Sequence, residues 1–328
     1  MHAHANPLHG WRRHALILVV LLSVAGYLGF VLWSGWAEVT AAIAQVGWLM
    51  TGVALLLSLL NYGLRFVRWQ LYLAQLGHTL PWREHFRIYM AGFSMTIVPG
   101  KVGETIRSVF LKAHGVDYAK SVAVFFSEQA SNLISMVILA AFGVWVYPAA
   151  QPFVLILSAA LLAGLVVLQQ AKLLAMLDQF TQRWLPVKLA RVSHAAFTTI
   201  AHAGQCLRFP VLSLGLAIGV VAWGAEGVAL YFMLHSLGSD ISLQTTLFIY
   251  AFSMLVGAVS FLPGGLGGVE ATMIGLLMLN QLDQAHAVAV TLLIRLTTLW
   301  FAIALGGVAM MRIPQHKNEY SGSRNDVN

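Results

Sequence analysis

The chain has 328 residues, 59% of them hydrophobic and only 9% charged, with a net charge of +7 and a mean hydropathy of +0.77. A soluble globular domain carries about a quarter charged residues, so this composition excludes one, and its long apolar runs suit helices crossing a roughly 30 Å hydrocarbon core rather than barrel strands. The positive balance fits the Lys/Arg bias of cytoplasmic loops, so no nucleic-acid partner is read from it, and the single Cys206 excludes an intramolecular disulfide or a cysteine-built metal site.

The expected fold class is an all-α polytopic membrane protein of about six full spans plus two Pro-Gly-broken re-entrant hairpins arranged as an inverted repeat. Residues 1–13 read as a cytoplasmic tail whose His2, His4 and His9, followed by His14, are solvated rather than metal-binding. Arg12 and Arg13 precede an apolar run, as in a signal peptide. The run over 14–33 is long for one and lacks a small-x-small cleavage site, so it reads as a retained first span. The short segment 34–46, with Glu38 and no Lys or Arg, faces outward. The second span, 47–72, carries Arg65 and Arg68 on one helix face. Arg68 beside Trp69 reads as an interfacial anchor whose charge reaches up to water; Arg65, one turn deeper, is a candidate site residue.

Arg83 and Arg87 mark the next loop as cytoplasmic. The apolar run 88–98 rises only about 16 Å as a helix, half a membrane. It stops at Pro99-Gly100, and basic residues follow. The expectation is a hairpin over 85–114 that enters and leaves on the cytoplasmic side, with Glu104, Arg107 and Ser108 on one face of its exit half. Glu128, in the span 121–147, shares a face with Asn132, which should look into the bundle. The turn near Pro148 is external, and the span 153–170 returns inside as scaffold. Residues 171–208 read as an amphipathic cytoplasmic connector broken at Pro186.

The span 209–235 holds Glu226 near its middle, a costly place for an ionised carboxylate without a partner. Then comes Leu262-Pro263-Gly264-Gly265-Leu266-Gly267-Gly268-Val269-Glu270. A helix cannot run straight through it. In hydrocarbon the freed backbone groups must be met by protein or water. The expectation is a second hairpin over 243–282 entering from the external face; the alternative is a full span at 243–262, which would place the C-terminus outside. The last span, 285–311, contains Arg295, and 312–328 is a polar tail.

Pro99 and Pro263 lie 164 residues apart, half the chain. Around them the charges run Arg65–break–Glu128 and Glu226–break–Arg295, an exchange that fits two inverted halves. The pattern predicts a midplane cavity lined by Arg65, Glu104, Arg107, Glu128, Glu226, Glu270 and Arg295. At the second break, Pro263, Gly264, Gly265 and Gly267 either let backbone amides approach an anionic headgroup or only permit a tight turn.

Pro99-Gly100-Lys101-Val102-Gly103-Glu104 with Arg107, and the second Pro-Gly-Gly stretch, resemble the paired motifs of the lysylphosphatidylglycerol synthase transmembrane region, also called the flippase-like or UPF0104 family. Leu64-Arg65, Arg68-Trp69, Glu128 and Arg295 fall where other characteristic residues of that family lie, and the likeness covers about 14–311. Gln129 and Asn132 depart from its pattern in the fourth segment. The resemblance implies a flippase-like carrier in a cell membrane, in all expectation the bacterial cytoplasmic one, with the N-terminus cytoplasmic. Its cargo would be an anionic or zwitterionic phospholipid or a polyprenyl-linked lipid. No cofactor or metal is expected. A homo-oligomer or a biosynthetic enzyme partner is allowed for. No synthase domain or catalytic motif is recognised, so an enzyme is the lesser alternative, beside a non-catalytic membrane partner of lipid or envelope biosynthesis enzymes.

Overall fold

The computed structural model describes residues 25–96, 98 and 104–313. The tail 1–13 with its histidines, most of the first span, the tip Pro99-Gly100-Lys101-Val102-Gly103 and residues 314–328 of the polar tail lie outside them. Every regular element among the described residues is helical. The chain order is α1 (Ala25–Ser34), α2 (Trp36–Gln75), α3 (Trp82–Phe93), α4 (Ile106–Lys112), α5 (Tyr118–Ala141), α6 (Gln151–Gln169), α7 (Ala171–Trp184), α8 (Val187–Cys206), α9 (Val211–Ser236), α10 (Leu243–Val259), α11 (Gly268–Leu279), α12 (Gln284–Arg295) and α13 (Phe301–Met311). A π-helical turn, Leu296–Trp300, joins α12 to α13. Five helical stretches are long and apolar enough to cross a membrane: α2, α5, α6 with its preceding turn, α9, and α12 through α13.

Residues 34–46, expected as a short outward-facing segment, are helical from Trp36 on. They form the first turns of α2, and Val39, Ala42 and Val46 on one face are buried in the core. The helix breaks at Gly47, whose φ of 72° favours glycine, and resumes at once. α2 therefore runs the whole height of the bundle and packs along α9, where the Asn61 amide donates to the Ala222 carbonyl at 2.9 Å.

Two helix pairs fold back on themselves. In the first, α3 leads to a break after Phe93 and α4 returns. His114, just past α4, bonds Glu84 in the first turn of α3 at 2.8 Å, so the two open ends lie together. In the second, α10 leads to a break after Val259 and α11 returns. The links before α10 and after α11 line one cavity, with Asp240 and Ser242 facing Asn280 and Asp283. The pairs open at opposite ends of α2. Lys120, at the start of α5 and three residues after Asp117, reaches the Leu76 carbonyl at 3.3 Å beyond the C-terminal end of α2. Gln284, following α11, reaches the Trp33 carbonyl at 3.1 Å before its N-terminal end. The first end carries Arg83, Arg87, Lys112 and Lys120; the other carries Glu38 in the first turn of α2 and Asp240 and Asp283 in its links, and no Lys or Arg among the described residues.

Residues 171–208 form two helices meeting at Pro186, as the proline demands. α8 packs on α5, and the α8 turn at Ala203 accepts from Ser127 at 3.5 Å.

Candidate functional site

Between the two helix breaks lies a half-open cavity of about 60 Å³, reached by Arg65, Glu104, Glu226, Gly264 and Arg295 and walled by aromatic residues and Met254. Each side chain arrives from a different element. Arg65 comes from α2, Glu104 from the turn before α4, Glu226 from α9, Gly264 from the second break and Arg295 from the end of α12.

On the first-break side the charges form a chain. Arg107 donates from Nη1 to Glu128 Oε2 at 3.0 Å and pairs through Nη2 with Glu104 Oε2 at 3.3 Å. Its Nε donates to the Tyr89 carbonyl at 3.1 Å. Its guanidinium lies over the Tyr89 ring at 4.1 Å and against Trp69. Gly92 makes this possible, because a Cβ there would collide with the guanidinium. The other Glu128 oxygen accepts from the Tyr89 hydroxyl at 2.6 Å and from Arg65 at 3.4 Å. Arg65 itself sits between Phe93 and Trp223, about 5 Å from each ring. Thr96 donates to Glu104 at 3.2 Å from the other side of the break.

The second break is built around Glu270. Its Oε2 accepts from the Gly267 amide at 2.6 Å, capping α11. Its Oε1 accepts from Arg295 Nε at 2.6 Å and from the Tyr27 hydroxyl at 3.1 Å. Arg295 Nη2 also donates to the Gly264 carbonyl at 2.8 Å. Gly264 and Gly267 have φ of 60° and 85°, the left-handed region. Phe261 enters that region too, at 53°, without a glycine's freedom. Such strain sits most often where function requires it.

Glu226 accepts from the Tyr250 hydroxyl beside the same cavity. The π-helical turn after Arg295 turns the Thr298 carbonyl toward Tyr62, whose hydroxyl donates to it. Such turns concentrate at functional sites.

The structure thus brings Arg65, Glu104, Glu226, Gly264 and Arg295 to the cavity itself, with Arg107, Glu128 and Glu270 directly behind them. Pro263 and Gly267 do not line it, and Gly265 lines a neighbouring groove. The Gly267 amide serves Glu270, and the Gly265 amide serves the Leu262 carbonyl. Those two amides serve the turn itself.

Arg68 corrects the anchor reading. It is fully buried, donates to the Asn132 carbonyl oxygen and leaves its Nε and one Nη without partners. Trp69 is buried too and donates from Nε1 to His85 at 2.9 Å, so neither side chain reaches the surface. Four guanidiniums (Arg65, Arg68, Arg107, Arg295) and four carboxylates (Glu104, Glu128, Glu226, Glu270) are therefore buried together, and their formal charges cancel. Sequence reasoning missed Arg68, Tyr27, Tyr62, Tyr89, Tyr250 and Trp223. Only Arg68 carried a signal, as an intramembrane cation three residues from Arg65.

The sequence profile of the lysylphosphatidylglycerol synthase TM region matches residues 16–306. The chain belongs to this family. A UPF0104 membrane protein of Methanothermobacter thermautotrophicus is 23% identical over 306 residues, 88% of this chain and 90% of the relative. UPF0104 membrane proteins of Pyrococcus horikoshii and Methanocaldococcus jannaschii are similar over shorter stretches. The first is 33% identical over 31% of this chain and 30% of its own length; the second is 32% identical over 33% of this chain and 46% of its own. Family and apolar helices together make this a multi-pass membrane protein.

Proposed function

We propose that this protein moves a phosphate-bearing membrane lipid between leaflets, its headgroup passing through the charged cavity. The carrying observation is that two broken helix pairs, opening at opposite ends of the bundle, bring Glu104 and Gly264 to the same chamber as Arg65, Glu226 and Arg295. Ionic groups are kept in hydrocarbon at a cost and generally mark a polar path. Broken half-helices from inverted halves commonly meet at a transporter's midplane site. We read the two pairs as re-entrant hairpins of such halves, with the Arg83/Arg87 end cytoplasmic by the Lys/Arg bias.

At about 60 Å³ the chamber holds a few waters rather than a headgroup. One pair must part from the other to admit cargo, and alternate parting would open the chamber to each face in turn. Arg65 and Arg295 would hold the phosphate, while Glu104 and Glu226 would balance them or contact a cationic headgroup. The cargo is an anionic or zwitterionic phospholipid or a polyprenyl-linked lipid; the family's own description names lysylphosphatidylglycerol.

The test is reconstitution in vesicles carrying labelled phospholipid on one leaflet. Label should become accessible on the opposite leaflet in a protein-dependent manner, without chemical change to the lipid. Conversion of the lipid to a product would support an enzyme instead. No movement and no product across anionic, zwitterionic and polyprenyl-linked lipids would refute the carrier.

A further inference from the structure

α7 and α8 are not among the five stretches that cross the membrane, yet one face of α7 is apolar and uncovered. Leu173, Met176, Leu177, Phe180 and Trp184 are all exposed. Counted from Leu173 they fall three, four, seven and eleven residues on, which places them in one stripe. The stripe turns away from α8. The side facing α8 carries Leu174, which is buried, Asp178, which His194 bonds at 2.8 Å, and Thr181, to which Ser193 donates at 3.1 Å. The third side, at Gln179 and Gln182, is exposed and polar.

Charge is arranged around this stripe. Asp178 is the one carboxylate of the two helices, and its bond to His194 keeps it off the apolar face. Lys172 and Arg183, eleven residues and about three turns apart, lie along one edge of the stripe. Arg183, Lys188 and Arg191 are exposed around the turn at Pro186, where Trp184, Leu185 and Val187 are exposed as well. α7 starts one residue after α6, a membrane-crossing stretch whose last turns expose Val166 and Val167. The stripe therefore begins where a surface already in lipid ends.

We infer that the α7–α8 hairpin docks on the surface of the cytoplasmic leaflet, with the α7 stripe sunk between headgroups and acyl chains and Lys172, Arg183, Lys188 and Arg191 on anionic headgroups. A helix of this pattern buries its apolar face about 5–10 Å into that boundary. The apolar stems of Lys and Arg let their charges reach back to the headgroups, and the ring of Trp184 suits the same layer. The single-sign edge selects this occupant. A negatively charged leaflet attracts such a cluster, whereas a second copy of the chain would bring the same cations against it. α8 packs on α5, the helix that carries Glu128, so the docked hairpin holds that helix at a set depth. These lipids are a surface and not cargo, and the inference stands apart from the carrier reading.

Spin labels on the full-length chain in vesicles of phosphatidylcholine and phosphatidylglycerol test this. Phe180→Cys, Gln182→Cys and Trp184→Cys each carry one label, because the native Cys206 is buried. Labels at 180 and 184 should collide with oxygen, which concentrates in lipid, in preference to a water-soluble nickel chelate; the label at 182 should show the reverse. On the unaltered chain, hydrogen exchange over α7 should slow roughly tenfold when phosphatidylglycerol is added to phosphatidylcholine vesicles, and Lys172→Gln with Arg183→Gln should lose most of that slowing. The exchange comparison decides alone if a cysteine variant does not fold. Labels at 180 and 184 as open to nickel as the one at 182 would place the hairpin in water and overturn the inference. Labels shielded from both reagents would mean that protein covers the stripe, a second copy or another chain, and would overturn it too. Exchange indifferent to phosphatidylglycerol would do the same.

Discussion

Glu270→Gln separates an ion-paired cap from a decorative charge. The carboxylate takes three hydrogen bonds, from Arg295 Nε and the Gly267 amide at 2.6 Å each and from Tyr27 at 3.1 Å. Glutamine keeps one acceptor for Arg295 and Tyr27, but its NH₂ then faces the Gly267 N–H, donor against donor. Each charge-assisted bond falls from about 1.5–3 kcal/mol toward the 0.5–1.5 of a neutral one, and Arg295 stays buried without its counter-charge. Losing one member of a buried pair costs about 3–5 kcal/mol, which is the destabilisation expected here. Adding Arg295→Met removes the orphaned cation, so the double variant should recover about 2 kcal/mol relative to the sum of the singles, within the range for residues in contact. Unfolding of the four proteins in detergent, followed by tryptophan fluorescence, measures the cycle. Strict additivity, or single variants as stable as the parent, would refute the argument that this pair holds the second break together.

Arg65→Ala and Glu128→Ala share a 3.4 Å contact, so their effects on lipid exposure should combine to less than their sum, by about 0.5–3 kcal/mol in a double-mutant cycle. Gly92→Ala should displace Arg107, because the added Cβ meets its guanidinium; a loss of about 1–3 kcal/mol, typical of overpacking, is expected in thermal unfolding. At the open end of the first pair, burial pulls the His114 pKa down, but the Phe110 carbonyl and the Glu84 carboxylate outweigh it and raise it above the ordinary histidine value. A folded pKa raised above the unfolded one means the contribution is present at low pH and lost as pH rises through the folded value. Hydrogen-exchange protection at α3 and α4, with the base-catalysed intrinsic rate divided out, should therefore fall as pH climbs past the ordinary histidine range, and His114→Gln should flatten that dependence.

The breaks and the charges were legible because both are expensive in hydrocarbon. Pro263-Gly264-Gly265 cannot stay helical, and Glu226 or Arg295 cannot sit unpaired in lipid, so their positions alone announce structure. The tyrosines were not legible. A Tyr such as Tyr89 or Tyr250 in an apolar run looks like any core residue, and nothing local says that its hydroxyl meets a carboxylate. The turn at Leu296–Trp300 was equally hidden, since its sequence suits an ordinary helix and its π geometry comes from packing. Residues 34–46 misled for a different reason. Val39, Ala42 and Val46 have helical spacing, but glycines at both ends make the segment look like a link. Arg68 misled because the neighbouring Trp69 suggests an interface, whereas its indole turns inward to His85.

The buried charges also indicate which cation would change partner on the lipid reading. A phosphate entering a neutral cluster must displace a carboxylate from a guanidinium. Arg107 is held by Glu104, Glu128, the Tyr89 carbonyl and the Tyr89 ring, and is fully buried. Arg295 is held by Glu270 and the Gly264 carbonyl at 2.6 and 2.8 Å. Arg65 has one long hydrogen bond at 3.4 Å, two ring neighbours in Phe93 and Trp223, an unpartnered Nε and a place on the chamber wall. Of the two guanidiniums on the chamber wall, Arg65 has less to lose than Arg295. Arg65→Ala should therefore abolish most lipid exposure while shifting stability less than Arg107→Ala, which leaves Glu104 and Glu128 buried without their shared cation and should cost about 3–5 kcal/mol. Paired measurements of unfolding and of lipid exposure on the two variants distinguish the roles. An Arg65 variant that exposes lipid as the parent does, or one that unfolds as readily as the Arg107 variant, would remove Arg65 from the cargo's path and assign it to the framework.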